Sequence, residues 1–250
     1  MKAMILAAGL GTRLRPLTDD RPKALVTVAG RTLLELTLSR LRSFGVSEVI
    51  LNVHHFADMI VAYLEANQNF GMRIEISRED VLLDTGGGLK KAAWFFLEGS
   101  GPKDEPFIVH NVDVFSTIDL AQMVRFHSDQ NALATLAVQQ RDTSRPLLFN
   151  EQGQICGRRT NRDAEPEWAL PAQPVDPLSF CGIHVLSPRI FAGLSEQGVF
   201  SIIPAYLRLA SQGEPILAFR ADEYYWRDLG RPENIAEAER DITRAKFSAN

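Results

Sequence analysis

Cysteine is scarce in this chain. Two residues, Cys156 and Cys181, among 250 cannot build a disulfide framework, and a reducing compartment is the simpler reading. Long apolar runs are missing too. No stretch approaches the roughly 20 residues of a membrane span, so no membrane partner is expected. The apolar run over residues 3–10 is short, and Arg13 and Arg15 follow it at once, unlike a signal peptide. Excess positive charge is absent: 27 Lys and Arg against 31 Asp and Glu leave a net charge of −4, which argues against a general nucleic-acid partner. Repeats, low-complexity tracts and linkers are also lacking. What remains, 45% hydrophobic and 23% charged residues, suits a cytoplasmic globular protein with a sizeable core.

Patterning predicts alternating strands and helices. Residues 2–8 are apolar on both faces, as in a parallel sheet. Residues 32–44 place Leu34, Leu38 and Leu41 at helical spacing, with Thr32 as N-cap and Gly45 as stop. Strands are expected over 48–53, 73–77, 107–110 and 132–138, and helices over 56–67, 88–97 and 118–130. This rhythm implies βαβ units: an α/β fold with a mainly parallel, Rossmann-like sheet flanked by helices. Residues 141–177 break it, being rich in charge, proline, glycine and asparagine. They are expected as either an excursion of short hairpins or a mobile lid. Order returns at 178–186, 188–194, 202–210 and 216–219, and 232–245 reads as a closing helix. Residues 1–250 are thus read as one domain with a less regular insert.

Chemistry concentrates in four segments. The first is Leu6-Ala7-Ala8-Gly9-Leu10-Gly11-Thr12-Arg13-Leu14-Arg15-Pro16, with Pro22-Lys23 soon after. Gly9-x-Gly11 opens like a dinucleotide fingerprint, but Leu14 fills the third glycine position and Arg15-Pro16 interrupts the helix. The Gly-Lys-Ser/Thr of a P-loop is missing as well. On glycines alone a plain tight turn is an equal reading. Cations close behind glycines, however, suit phosphates, because bare backbone N–H groups and positive charge act together there. The second segment, Asn111-Val112-Asp113, ends an apolar strand, where a carboxylate can reach a ligand or metal. Its plain alternative is a turn or helix cap. Third is Trp226-Arg227-Asp228-Leu229-Gly230-Arg231-Pro232-Glu233, whose Asp228, taken alone, reads as a cap for the helix beginning near Pro232. Fourth is Asp84-Thr85-Gly86-Gly87-Gly88-Leu89, three glycines ahead of a helix, read as a flexible entry or as close backbone approach to a base or sugar.

Gly11-Thr12-Arg13, Pro16-Leu17-Thr18 and Pro22-Lys23 together resemble the signature of the sugar-1-phosphate nucleotidyltransferases, and the other segments continue the likeness over most of the chain. The resemblance implies the nucleotide-diphospho-sugar transferase fold and transfer of a nucleotidyl group from a nucleoside triphosphate to a sugar 1-phosphate, with release of pyrophosphate. It implies that Leu6, Ala8, Gly9, Gly11, Thr12, Arg13 and Lys23 bind the nucleotide, Gly11, Thr12 and Arg13 at its triphosphate, with Lys23 as catalytic cation beside Arg13 and Asp113. It further implies Thr85, Gly86 and Gly87 at the base, Asn111 and Gly182 near the sugar, and Mg2+ held by Asp113 and Asp228. Leu83-Asp84-Thr85-Gly86-Gly87-Gly88 and Phe180-Cys181-Gly182-Ile183-His184-Val185-Leu186 are similar to the members that join UTP to N-acetylmuramate 1-phosphate. That substrate or a related hexose phosphate is therefore favoured, and GTP with a mannose- or heptose-type phosphate is the alternative. Three departures stand out. Val112 replaces a glycine, Arg231 replaces a common threonine, and Arg145-Pro146-Leu147-Leu148-Phe149 lacks the acid found at the matching sugar-side place.

A sugar 1-phosphate is already ionised at neutral pH, so its attack needs no general base, and no convincing Ser-His-Asp or Cys-His set occurs. Remaining reactive residues have plainer readings. His54-His55 lacks metal-site helical spacing, Cys181 reads as a small buried hydrophobe, His110 as core, and Trp168 and Trp226 as sugar platforms or filler. Two other classes stay open: a non-catalytic nucleotide or sugar-nucleotide sensor, favoured by Val112 and Arg231, and an oxidoreductase suggested by Gly9-x-Gly11. The chain is expected to act as a monomer or homo-oligomer, without the hexapeptide-repeat domain of bifunctional relatives.

Overall fold

The computed structural model describes residues 1–98 and 104–243. The described chain forms two compact units. One comprises 1–83, 109–117 and 225–243, and the other 84–98, 104–108 and 118–224.

In the first unit the buried strand Lys2–Leu6 pairs in parallel with Glu48–Val53, Lys2 facing Glu48 and Leu6 facing Asn52. Glu48–Val53 pairs in parallel with Arg73–Arg78. Residues 109–111, the end of the strand Phe107–Asn111, lie on the other side of the opening strand. Helix Leu33–Ser43 begins where expected: the Thr32 hydroxyl accepts from the Glu35 N–H at 3.0 Å, and Leu33, Leu34, Leu38 and Leu41 are buried. Helix Ala57–Ala66 buries Ile60 and Leu64. The opening strand stops at Leu6, two residues short of the strand expected over 2–8, because the Ala7 N–H donates to Asn52 Oδ1 (2.8 Å) and the chain leaves the ladder. Asn52 in turn donates to Glu79 Oε1 (2.8 Å), and Glu79 Oε2 accepts from the Leu83 N–H (2.9 Å). Both side chains are buried, so this network satisfies polar groups that would each be costly if orphaned.

A second, antiparallel pair in the same unit joins Val114–Ser116 to Trp226–Asp228, with Val114 facing Asp228. Helix Pro232–Thr243 follows and packs Ile235 and Ala238 inward. Arg227 pairs with Glu237 and Asp241, and the Tyr225 hydroxyl donates to Asp241. The last two residues of the expected closing helix, 244 and 245, lie outside the described residues.

The second unit is built on the fully buried strand Ala134–Gln139, which pairs in parallel with Ile216–Arg220 and antiparallel with Asp176–Leu186. Residues 141–177 hold short antiparallel strands: Leu147–Phe149 pairs with Asp176–Leu178 and with Ile155–Arg158, and the latter with Glu167–Trp168. Helix Leu120–Asp129 is capped by Asp119, which accepts from the Gln122 N–H at 2.9 Å. The fold is thus of the expected class, a mixed sheet with a parallel core and flanking helices. Its antiparallel strands come from the insert and from Asp176–Leu186.

One placement differs from expectation. Gly86, Gly87 and Gly88 do not precede a helix; they lie inside helix Asp84–Lys91, which is separated at Ala92 from a second helix, Ala93–Leu97. Tertiary contact overrides the poor helix propensity of glycine here. The N–H groups of Gly86 and Gly87 both donate to the Phe200 carbonyl (2.9 and 3.1 Å), and the Thr85 hydroxyl accepts from the Ile202 N–H (3.0 Å). A Cβ on Gly86 would collide with the Phe200 ring.

Candidate active site

The glycine loop leaves the sheet after Leu6, runs through buried Ala8 and turns at Gly11, whose φ of 66° is left-handed. A Cβ there would lie 3.0 Å from Thr18 Cγ2 and 3.2 Å from Lys23 Cβ, so glycine is needed both for the dihedral and for the close approach. The Thr18 hydroxyl donates to the Gly11 carbonyl at 2.8 Å, folding 12–18 back onto the turn. Thr12–Leu14 makes one 3-10 turn anchored by buried Leu14. Gly9 has open space where a side chain would stand. The N–H groups of Gly9, Leu10 and Gly11 have no acceptor among the described residues. This is an electropositive backbone edge of the kind that binds phosphate oxygens.

Lys23 starts a short 3-10 turn, Lys23–Leu25, after Pro22. Its side chain is only 12% exposed, and its ammonium donates to Asp113 Oδ2. It is therefore not a solvated surface lysine. Asp113 follows Val112, which is buried and donates its N–H to the Leu6 carbonyl at 3.2 Å. Val112 is not among the residues with positive φ, so the valine in place of glycine fills the core without backbone strain. The Asp113 carbonyl accepts from the Leu229 N–H at 2.7 Å. Together with the pairing of Val114 and Asp228, this fixes both aspartates on one short antiparallel ribbon.

Asp228 Oδ1 accepts from the Gly230 N–H at 2.6 Å, and its Oδ2 lies 3.8 Å from Arg13 Nη2. Gly230 marks the centre of the cluster. A Cβ there would stand 2.6 Å from Asp228 Oδ1, 2.8 Å from Arg13 Nη2 and 3.3 Å from Lys23 Nζ. Arg13, Lys23, Asp113 and Asp228 are thus brought together in the first unit from four separate stretches of sequence. Arg231 is exposed; its carbonyl accepts from Asn234 and Ile235 at the start of the last helix, and threonine is not needed for that.

The donor set suits magnesium. Among the described residues no group of three or more His, Cys, Asp or Glu side chains could enclose an ion. Two carboxylates on one ribbon match a cation that uses one or two of them and fills its shell with water and phosphate oxygens. Asn111 Oδ1, two residues before Asp113, is buried and has no hydrogen-bond partner.

Burial pushes His110 down to about 4, leaving it neutral at pH 7, and its Nδ1 meets the Asn111 carbonyl at 2.8 Å. Burial pushes the Cys181 thiol up to about 11, in keeping with an inert core residue. His54 closes its strand by contacting the Glu79 carbonyl at 2.8 Å.

In the second unit, Thr85, Gly86 and Gly87 occupy the first turn of their helix, with the hydrogen bonds described above. Gly182 has φ 72° at the register shift between Phe180 and His184, an irregularity that only glycine accepts easily. Residues without a role in the sequence reading also shape the first unit's site: Thr18, Asn52, Glu79 and Gly230. The signal for Asn52 is an amide inside the otherwise apolar strand 48–53, and Gly230 sits in the third motif itself.

Known proteins match this chain closely. A nucleotidyl transferase family model matches residues 2–149. The N-acetylmuramate alpha-1-phosphate uridylyltransferase of Caulobacter vibrioides is 36% identical over 252 residues, covering 97% of each chain. The probable mannose-1-phosphate guanylyltransferase 3 of Oryza sativa subsp. japonica is 30% identical, over 94% of this chain but 62% of its own length. The solved structure of a UDP-glucose pyrophosphorylase complexed with UDP-glucose shares the fold, with a TM-score of 0.77 at 19% identity over 98% of this chain and 99% of that one. No helix among the described residues is long and apolar enough to cross a membrane. With Arg13, Lys23 and Asp228 gathered at Gly230 and Asp113 paired to Lys23, the chain belongs to the nucleotidyl transferase family and is a sugar-1-phosphate nucleotidyltransferase.

Proposed function

We propose that this enzyme transfers a uridylyl group from UTP to N-acetylmuramate 1-phosphate or a related hexose 1-phosphate, using Mg2+. The observation that carries the reading is the meeting of the Lys23–Asp113 pair with Arg13 and Asp228 around Gly230. The choice of substrates is supported by the 36% identity to the Caulobacter vibrioides uridylyltransferase.

In the proposed reaction a phosphate oxygen of the sugar 1-phosphate attacks the α-phosphorus of the nucleotide. The bond from that phosphorus to the bridging oxygen breaks, and pyrophosphate leaves with the electron pair. The nucleophile is already an anion, so charge neutralisation and alignment are the whole task. The unpaired N–H groups of Gly9, Leu10 and Gly11 receive phosphate oxygens, with Leu6, Ala8 and Thr12 shaping the same stretch. Arg13 and Lys23 offset the charge that builds on the transferring group and on pyrophosphate. Asp113 and Asp228 would hold Mg2+, which supplies Lewis-acid neutralisation when bound. Asn111 is assigned to the sugar, as is Gly182 in the second unit, and Thr85, Gly86 and Gly87 to the base.

GTP with mannose 1-phosphate is the second reading, favoured by the 30% identity to the rice protein. The deciding experiment is pyrophosphate release with Mg2+, crossing UTP, GTP, dTTP, CTP and ATP with a panel of sugar 1-phosphates. Turnover with UTP and N-acetylmuramate 1-phosphate is the expected result. Turnover confined to GTP and mannose 1-phosphate would select the second reading, and nucleotide binding without release would indicate a sensor.

A further inference from the structure

The second unit contains a cavity of about 500 Å³ lined by Arg145, Arg158 and Arg159, with Thr143 and Thr160 among its polar groups and Phe180 on its wall. No aspartate or glutamate lines it. Arg158 is neutralised from one side by Glu167, Nε to Oε2 at 2.6 Å. The guanidinium groups of Arg145 and Arg159 meet no acceptor among the described residues. Backbone bonds hold both in place. The Arg159 N–H donates to the Pro146 carbonyl at 3.0 Å, and the Arg145 N–H donates to the Thr143 hydroxyl at 3.2 Å. Arg158 faces Leu147 across the antiparallel pair, so the three arginines share one end of that ribbon.

Three guanidiniums around one cavity with a single carboxylate between them repel one another unless an anion joins them, and their planar forks suit carboxylate or phosphate. The cavity also borders the segments assigned to substrate in this unit. Phe180 stands two residues before Gly182 on the same strand. Ser201, also on the lining, lies between Phe200 and Ile202, which hydrogen-bond Gly86, Gly87 and Thr85.

We propose that this cavity is an anion subsite that reads a second negative group on the sugar 1-phosphate, a carboxylate or a second phosphate, and so selects an acidic sugar. Arg145 and Arg159 make the new charge-assisted hydrogen bonds, Arg158 supplements them, and Phe180 offers an apolar wall. The inference rests on the proposed transfer to a sugar 1-phosphate and does not depend on which nucleotide is used.

The test measures kcat/KM for N-acetylmuramate 1-phosphate, for N-acetylglucosamine 1-phosphate, which lacks the carboxylate, and for a hexose 1,6-bisphosphate. These are compared in the wild type, in Arg145→Gln/Arg159→Gln and in Arg145→Lys/Arg159→Lys. The wild type should prefer one acidic sugar over the neutral one, and which acid it takes separates carboxylate from phosphate. The Gln pair should lower that preference about 10-fold or more, through KM, as expected for lost charged hydrogen bonds. The Lys pair should retain much of it, and all three should share one unfolding midpoint. A wild type without acid preference, or Gln variants that keep it, would overturn the proposal. Silence of the wild type on every sugar would refute the transfer reading instead. Calorimetric binding of N-acetylmuramic acid and of a hexose 6-phosphate, each against neutral N-acetylglucosamine, in wild type and Gln pair, then decides the subsite alone: preferred binding of either acid that is lost in the Gln pair supports it, and binding of both no tighter than that of the neutral sugar refutes it.

Discussion

The ammonium of Lys23 is hydrogen-bonded to the carboxylate of Asp113, ninety residues further along the chain. Each side chain is mostly shielded, at 12% and 17% exposure, so the pair stands in a medium where charges interact more strongly than in water. Arg13 and Asp228 repeat the arrangement more loosely at 3.8 Å. Each carboxylate that would receive a divalent cation is thus paired with a cation that would otherwise face phosphate. If substrate and Mg2+ bind as proposed, they would replace these partners without leaving a bare charge behind.

Asp113→Asn preserves shape and removes the charge. Pyrophosphate release at saturating Mg2+ should fall by about 10²-fold or more, and Lys23→Ala should lower kcat on a similar scale. The Asn variant should unfold near the wild-type midpoint. Wild-type turnover in Asp113→Asn would remove the metal assignment, and a Lys23→Ala variant that loses only stability would make Lys23 a structural residue.

Gly230→Ala tests the geometry of the cluster. The added methyl would come within 2.6 Å of Asp228 Oδ1 and 2.8 Å of Arg13 Nη2, well inside van der Waals contact. Arg13 is 55% exposed and can move away, so the cost should fall on activity more than on stability. Steady-state kinetics should show kcat reduced about 10-fold or more, because small misplacements of charge are costly in catalysis. A variant with unaltered kinetics would show that the four side chains need not sit as they do here.

Gly86→Ala should destabilise the second unit by about 1–3 kcal/mol through overpacking against Phe200. Phe200→Leu should relieve part of that loss in the double variant. Urea unfolding of the two single variants and the double measures the coupling. Strict additivity would mean that the ring and the glycine are not in contact.

His127 predicts an acid-sensitive step. Burial, helped by nearby Arg189, pushes it down to about 4 from an ordinary 6.5, and its ring contacts Thr135 and Ser187 at 3.0 Å. Between these values the unfolded chain takes up a proton that the folded chain refuses. Stability should therefore fall as pH drops from about 6.5 towards about 4, by roughly 3 kcal/mol at most, with no contribution to the slope above 6.5. Denaturant unfolding across this range should be steeper in the wild type than in His127→Gln. Equal slopes would place His127 at its ordinary pKa.

Much of this molecule was legible before its structure. Thr32 as a cap, the strand 48–53 and the helix stops follow from local hydrogen bonding and periodic burial, which act over a few residues and so leave a local pattern. The tight turn at Gly11 was readable for the same reason, since such a turn depends on adjacent residue types. The tertiary structure decided what lies between distant segments. Pairing of 114–116 with 226–228 is what joins Asp113 and Asp228, and strands of three residues carry no periodicity to announce it. Phe200 turns a glycine run that looks like an open loop into a buried helical turn, because packing outweighs propensity. Arg145 and Arg159 look like ordinary surface charges in sequence; only the ribbon that sets them on one cavity makes them a candidate site. The sequence determined the chemical equipment of the chain, and long-range packing determined which parts of it meet.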